Sequence, residues 1–145
     1  MASWYYDFED GTTDGWGTDY GPATVANSTA KAFSGSHSLA VTLTGAGNPG
    51  VASFAAPPGV AAGTVLTYHL YETAGAAVVS ADPYAVDGDW NYDFGGAVSL
   101  TPGAWTTLTL KVPALQAGLR YIGIEIENGG GTKTTLYLDA IGWGS

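Results

Sequence analysis

The sequence predicts an all-β chain, folded as an antiparallel β-sandwich of the jelly-roll type. Three observations predict it. Apolar residues recur with period two, the strong helix formers Glu, Lys, Arg and Gln are scarce, and turn signals rich in Gly and Pro separate the alternating runs. With 145 residues the chain forms one domain, 1–145, because a single core commonly serves about 100–200 residues.

The runs follow in order. Trp4, Tyr6 and Phe8 share one parity, with Tyr5, Asp7 and Glu9 on the other. Leu39, Val41 and Leu43 alternate with Ala40 and Thr42, and Leu66, Tyr68 and Leu70 with Thr67, His69 and Tyr71. Trp90, Tyr92 and Phe94 share a face opposite Asp87, Asp89, Asn91 and Asp93. Leu108, Leu110 and Val112, then Ile122, Ile124 and Ile126, then Leu136 and Leu138 complete the inward set. Each run is a strand with one face in the core and one outside. The dense apolar positions at both ends predict that the first and last strands pair. Asp10-Gly11, Asp14-Gly15, Asn48-Pro49-Gly50, Pro57-Pro58-Gly59, Asp87-Gly88 and Pro102-Gly103 mark turns, Gly129 to Gly131 a flexible hairpin tip, and Ala114 to Leu119 has room for one helical turn.

Composition excludes several functions. Four Lys+Arg against 13 Asp+Glu give a net charge of −9, so the clustered cations that nucleic acid requires are absent. The uncharged stretch from Ala32 to Tyr71 is interrupted by Ser, Thr, Gly and Pro, and never supplies the roughly 18 continuous apolar residues of a membrane span. With no cysteine there are no disulfides, thiol catalysis or cysteine metal sites. Met1-Ala2-Ser3 runs straight into Trp4-Tyr5-Tyr6-Asp7 without a leader pattern, as in a domain excised from a larger exported protein whose signal lies elsewhere.

Catalytic motifs are thin. His37 and His69 are the only imidazoles, and Gly35-Ser36-His37-Ser38 lacks the closing glycine of a nucleophile elbow. His37 reads as a turn residue and His69 as an outward one. Asp82, Asp87, Asp89, Asp93, Glu125 and Glu127 supply carboxylates for a glycosidase, which needs two of them roughly 5–9.5 Å apart in a cleft. Asp87 to Asp93 has the spacing of an EF-hand opening, yet Tyr92 stands where that loop needs Gly and Val98 where it needs Glu.

Three segments together resemble jelly-roll carbohydrate-binding modules. Phe8-Glu9-Asp10-Gly11 through Gly15-Trp16 is similar to their "FE-x-G…GW" opening, Gly35-Ser36-His37-Ser38-Leu39-Ala40-Val41 to their "G-x-x-S-L-x-V" strand, and Tyr137-Leu138-Asp139-Ala140-Ile141 to their closing "Y-[IL]-D-x-[IV]". The middle of the chain fits the same order, and families four, sixteen, twenty-two and twenty-seven are closest in flavour. The resemblance implies a non-catalytic module attached to a secreted, extracellular glycoside hydrolase. It would be a monomer binding a β-linked plant polysaccharide or oligosaccharide such as mannan, glucomannan, β-glucan or xylan.

Five Trp and nine Tyr agree with it, because sugars present apolar C–H faces to flat aromatics and hydroxyls to polar groups. Parity nominates Trp90, Tyr92, Tyr84, Tyr121 and Glu125, with Tyr20 as a further candidate; Trp16 either closes the N-terminal strand over the core or forms a platform at the cleft's end. Trp4 and Trp105 read as anchors of the sandwich, and Trp143 has no assignment. Glu125 stands where such modules commonly carry Gln. The resemblance also implies a structural calcium that ties the first strand to the last, with Asp7, Glu9 and Asp139 as carboxylate ligands and the turn Ser34 to His37 adding carbonyls. Two rivals stand beside this reading: a small polysaccharide hydrolase or lyase on the same fold, and an adhesive sandwich that contacts protein.

Overall fold

A computed structural model of the chain describes residues 4–77, 79–115, 117–128 and 130–143. Eleven strands carry it: β1 (Gly17–Tyr20), β2 (Ala23–Ser28), β3 (Ser38–Leu43), β4 (Gly50–Ala52), β5 (Val65–Glu72), β6 (Ser80–Asp87), β7 (Tyr92–Phe94), β8 (Val98–Ser99), β9 (Trp105–Lys111), β10 (Leu119–Glu127) and β11 (Thr135–Trp143). They form two antiparallel sheets. The first has the order β1-β4-β10-β6-β7, with β8 also paired to β6, and the second has the order β2-β3-β11-β5-β9. This is the expected jelly-roll sandwich.

Alternation places the core between the sheets. From the second sheet Leu39, Val41, Leu66, Tyr68, Leu70, Leu108, Leu136 and Leu138 point inward, and from the first Val51, Ile122, Ile124 and Ile126 meet them. The expected strand from Trp4 to Glu9 shrinks to a single bridge between Tyr6 and Ile141. Phe8 sits at φ +61, in the left-handed region, and that bend ends any strand there. The ends still meet, through Tyr5 and Tyr6 N–H groups that both donate to the Ile141 carbonyl. No helix occurs among the described residues. The turn expected at Ala114 to Leu119 is irregular where it is described, with Gln116 outside the described residues, as is Gly129 of the glycine tip.

His69 is a correction to the outward reading. Its strand face does point away from the core, but Phe33 stacks on the imidazole at 3.7 Å and Trp4 meets it edge-on at 5.1 Å. Trp105 packs on Phe33 and Tyr71, and Trp143 on Tyr5 and Tyr6.

Glu72 is the anomaly of the core. It continues the inward set Leu66, Tyr68, Leu70 and is fully buried. Only the Val79 N–H approaches Oε1, at 3.4 Å, while Oε2 has no partner among the described residues. Burial pushes its carboxyl above the usual range. Between the unfolded value of about 4.3 and that raised value the folded chain holds the extra proton. Stability contributed by the group is therefore full below the window and falls as pH rises through it. Glu72→Gln flattens this part of the pH profile and raises the neutral-pH melting temperature, as calorimetry from pH 4 to pH 8 would show.

Candidate functional site

The outer face of the first sheet carries a layer of tyrosines. Along β10 the residues opposite the inward isoleucines are Tyr121, Gly123 and Glu125, and the register sets Gly123 against Tyr84 of β6 and against Ala52 of β4. Gly50 pairs with Glu125 on one side and Tyr20 on the other. The two glycines make the layer possible. A Cβ on Gly123 would lie 2.4 Å from Tyr84 Cζ, and one on Gly50 would lie 2.6 Å from the Tyr20 ring. Without those methyls the phenols lie down on the backbone, Tyr20 stacked on Tyr84 at 6.2 Å and Tyr92 tilted against Tyr84 at 5.3 Å.

Asp19 ties the layer together. The register of β1 slips between Thr18 and Tyr20, and the bulge brings Asp19 and Tyr20 to the same surface. Tyr84 and Tyr92 each donate to Asp19 Oδ2 at 2.9 Å, and Tyr121 donates to Oδ1 at 3.0 Å. The Tyr92 and Tyr121 hydroxyls also meet at 3.0 Å. Tyr20 donates to Glu125 Oε2 at 2.7 Å. Burial, followed by the neighbouring carboxyl groups, pushes the hydroxyls of Tyr20 and Tyr84 upward; burial leads at Tyr121 as well. The phenols thus keep their protons and remain donors.

The nominated residues divide into three groups. Tyr20 and Glu125 are half-buried, Tyr92 is 36% exposed and Trp90 58% exposed. These present side-chain surface to solvent. Tyr84 is fully buried and Tyr121 is 3% exposed, both in a cluster separate from the main core, so they form the floor beneath the other rings. Trp16 is a correction: at 3% exposure it belongs to the main core, edge-on to Tyr6 at 5.4 Å. The residues that sequence reasoning missed are Asp19 and Phe54, whose ring meets Tyr121 at 5.4 Å. Trp90 sits in the turn before β7 and not within a strand. Asp87 holds that turn, accepting from the Asp89 and Asn91 N–H groups at 2.9 and 3.0 Å.

Two further acids have structural partners. Asp82 accepts from Gly96 N–H, and Glu127 accepts from Ser80 Oγ.

Of the residues implied for calcium, Glu9 and Asp139 both meet the loop from Phe33 to His37. Glu9 accepts from the Ser36 and His37 N–H groups at 3.0 and 2.7 Å, and Asp139 Oδ2 from Phe33 and Ser34 at 2.8 and 3.1 Å. Both carboxyl groups close on one loop, and burial together with Glu9 pushes Asp139 up to about 6. Carboxyl oxygens are the hard donors calcium takes, and in this structure both groups accept from backbone N–H groups of the loop. Asp7 and the His37 ring do not join them: Asp7 Oδ1 accepts from Glu9 N–H, and His37 Nδ1 is 2.7 Å from Asn27 Oδ1. Among the described residues no three His, Cys, Asp or Glu side chains converge as a metal cluster.

The tyrosine layer generates a direct prediction. Gly123→Ala displaces Tyr84 and loses about 1–3 kcal/mol of stability, read as a lower urea midpoint. Gly130→Ala, where an added Cβ meets nothing within 4 Å, leaves the midpoint in place.

Known proteins give this geometry its context. One structure, described as carbohydrate-binding modules of promiscuous specificity from the β-sandwich superfamily, matches 99% of this chain with a TM-score of 0.77 and 26% identity; the chain spans 62% of that longer chain. A family 22 xylan-binding domain matches 97% of this chain, and 93% of its own, with a TM-score of 0.69 and 26% identity. The C-terminal family 22 module of Clostridium thermocellum Xyn10B, studied for the amino acids of its ligand-binding cleft, matches 95% of this chain and 91% of its own with a TM-score of 0.69 and 25% identity. No curated protein sequence matches the chain. The family profile described as "Mannanase, galactose-binding domain-like" matches residues 6–140, and the chain belongs to that family.

Proposed function

We propose that the chain is a non-catalytic carbohydrate-binding module that holds a β-linked plant polysaccharide along an open cleft on the first sheet. One observation carries this reading. Tyr92 exposes its ring beside Asp19, half-buried Tyr20 lies beside Glu125, and exposed Trp90 stands edge-on to Tyr121 on the same face. Flat rings take the C–H faces of pyranoses, and oxygen acceptors take their hydroxyls. The cleavage-competent alternative lacks support of this kind, since Asp19 and Glu125 both accept from tyrosine hydroxyls. Carboxyl groups lining the cleft favour neutral glycans over uronic acid polymers. Attached to a secreted hydrolase, such a module raises the local concentration of enzyme on substrate, an effect that needs only modest affinity.

Affinity gel electrophoresis against soluble mannan, glucomannan, mixed-linkage glucan, xylan and polygalacturonate tests the reading. One or more neutral glycans retard the protein, polygalacturonate does not, and no reducing ends appear on prolonged incubation. Release of reducing ends would support the hydrolase reading.

We extend the proposal to a structural calcium held by Glu9, Asp139 and carbonyls of the loop from Phe33 to His37. Its positive charge would relieve the two carboxyl groups of their mutual repulsion and brace the N-terminal turn against β11. Chelator then lowers the melting temperature by several degrees and leaves glycan retardation nearly unchanged. An identical melt with calcium and with chelator would remove the ion from the account.

A further inference from the structure

β9 ends the second sheet with no strand on its far side. It stands last in the order β2-β3-β11-β5-β9 and pairs with β5 alone. At seven residues it is also the longest strand at either end of either sheet. A free edge of this kind is a template for another strand, and proteins ordinarily blunt one with a bulge, a proline or an inward charge. The register of β9 on β5 runs unbroken from Trp105 to Lys111, and the strand holds no proline. Its one charge, Lys111, is exposed at the strand's end.

The ladder tells which backbone groups lie on the open side. Just beyond the strand, the Val112 N–H donates to the Thr64 carbonyl at 2.8 Å. Antiparallel alternation then turns the N–H and C=O groups of Leu110, Leu108 and Thr106 toward β5. Those of Trp105, Thr107, Thr109 and Lys111 turn away from it, and no hydrogen bond among the described residues reaches them. A hollow of about 400 Å³ separates Thr109, Leu110 and Lys111 from the Tyr92 to Gly95 segment of the first sheet, so this part of the edge opens on free space.

The residues of that edge are complementary to themselves. Thr107, Thr109 and Lys111 are exposed and Trp105 is half-buried, all four on the outer face of the strand. Two β9 strands that meet antiparallel about Leu108 pair all seven residues. Thr107 then lies opposite Thr109 of the second copy, and Trp105 opposite its Lys111. Both are favourable cross-strand pairs, the second an ammonium on an indole. No like charges face each other, and a shift of the register in either direction loses the match of Trp105 with Lys111.

We propose that β9 pairs with β9 of a second copy of this chain, joining two second sheets into one continuous antiparallel sheet. This replaces the monomer implied by the resemblance with a two-fold dimer. Its axis stands normal to the sheet, which puts both first sheets, and both tyrosine layers, on the same side. The dimer does not depend on the glycan reading. Its consequence does: two clefts facing one way engage one polymer together and hold it more tightly than a single cleft.

Sedimentation velocity of the intact chain from micromolar to millimolar concentration tests the pairing. Wild-type mass rises from one chain toward two. Thr109→Pro removes an N–H that the β5 ladder does not use, so the fold holds while self-association weakens about tenfold or more. Thr107→Lys combined with Thr109→Lys sets like charges opposite one another at exposed positions and weakens it in the same way. Thr107→Cys mixed with Thr109→Cys reads the register: the chain has no cysteine of its own, and oxidation links the mixture far more than either variant alone. A chain that stays single at millimolar concentration overturns the proposal, as does a dimer indifferent to both the Pro and the Lys variants. A dimer retained on immobilised polysaccharide no better than Thr109→Pro keeps the pairing and removes the gain in avidity.

Discussion

The proposed binding face depends on one carboxyl group. Asp19 receives hydroxyls from Tyr84, Tyr92 and Tyr121, three rings from three strands of the first sheet. Without that acceptor the hydroxyl of the fully buried Tyr84 would be left unsatisfied, at a cost of about 1–3 kcal/mol. With it, the rings are locked at one height and one orientation before any ligand arrives. Preorganisation of this kind spares a binding site the entropy of ordering its side chains.

The layer also needs room. An outer sheet face normally lifts side chains away from the backbone, and here Gly50 and Gly123 remove the methyls that would keep the phenols upright. The result is an aromatic floor, with the phenol hydroxyls, Asp19 and Glu125 as its polar groups. Such a surface suits a polymer that lies along it and enters from either end. A hollow of about 430 Å³ between Tyr5, Asp10, Asp14 and Ser53 is lined by none of the residues of this floor.

The sandwich was legible wherever a strand has one large apolar face. The alternations of β3, β5, β9, β10 and β11 stand plainly in the sequence because large apolar residues, mostly leucine and isoleucine, recur with period two. β1 and β2 were not, since Gly-Thr-Asp-Tyr and Ala-Thr-Val-Ala-Asn-Ser carry no such contrast and run at sheet edges. Parity identified Tyr121 and Glu125 as facing away from the isoleucines, but it could not tell an exposed ring from one covered by its neighbours. That distinction separates Tyr92 from Tyr84. Asp19 escaped because a bulge suspends alternation where it matters, and Phe54 because it stands alone among Ala, Pro and Gly with no period to follow. Trp16 was ambiguous for a related reason: one indole beside a turn reads alike whether it closes the core or lines a cleft.

Two faces of one sandwich make the account easy to test by amide chemical shifts. In an ¹H–¹⁵N titration with a bound oligosaccharide, the account has the large shifts confined to β1, β4, β6, β7, β10 and the turn bearing Trp90. Amides of β2, β3, β5, β9 and β11 should stay still. Shifts centred on the second sheet, or a spectrum indifferent to every glycan, would contradict the claim that Asp19 and its three tyrosines build the binding face.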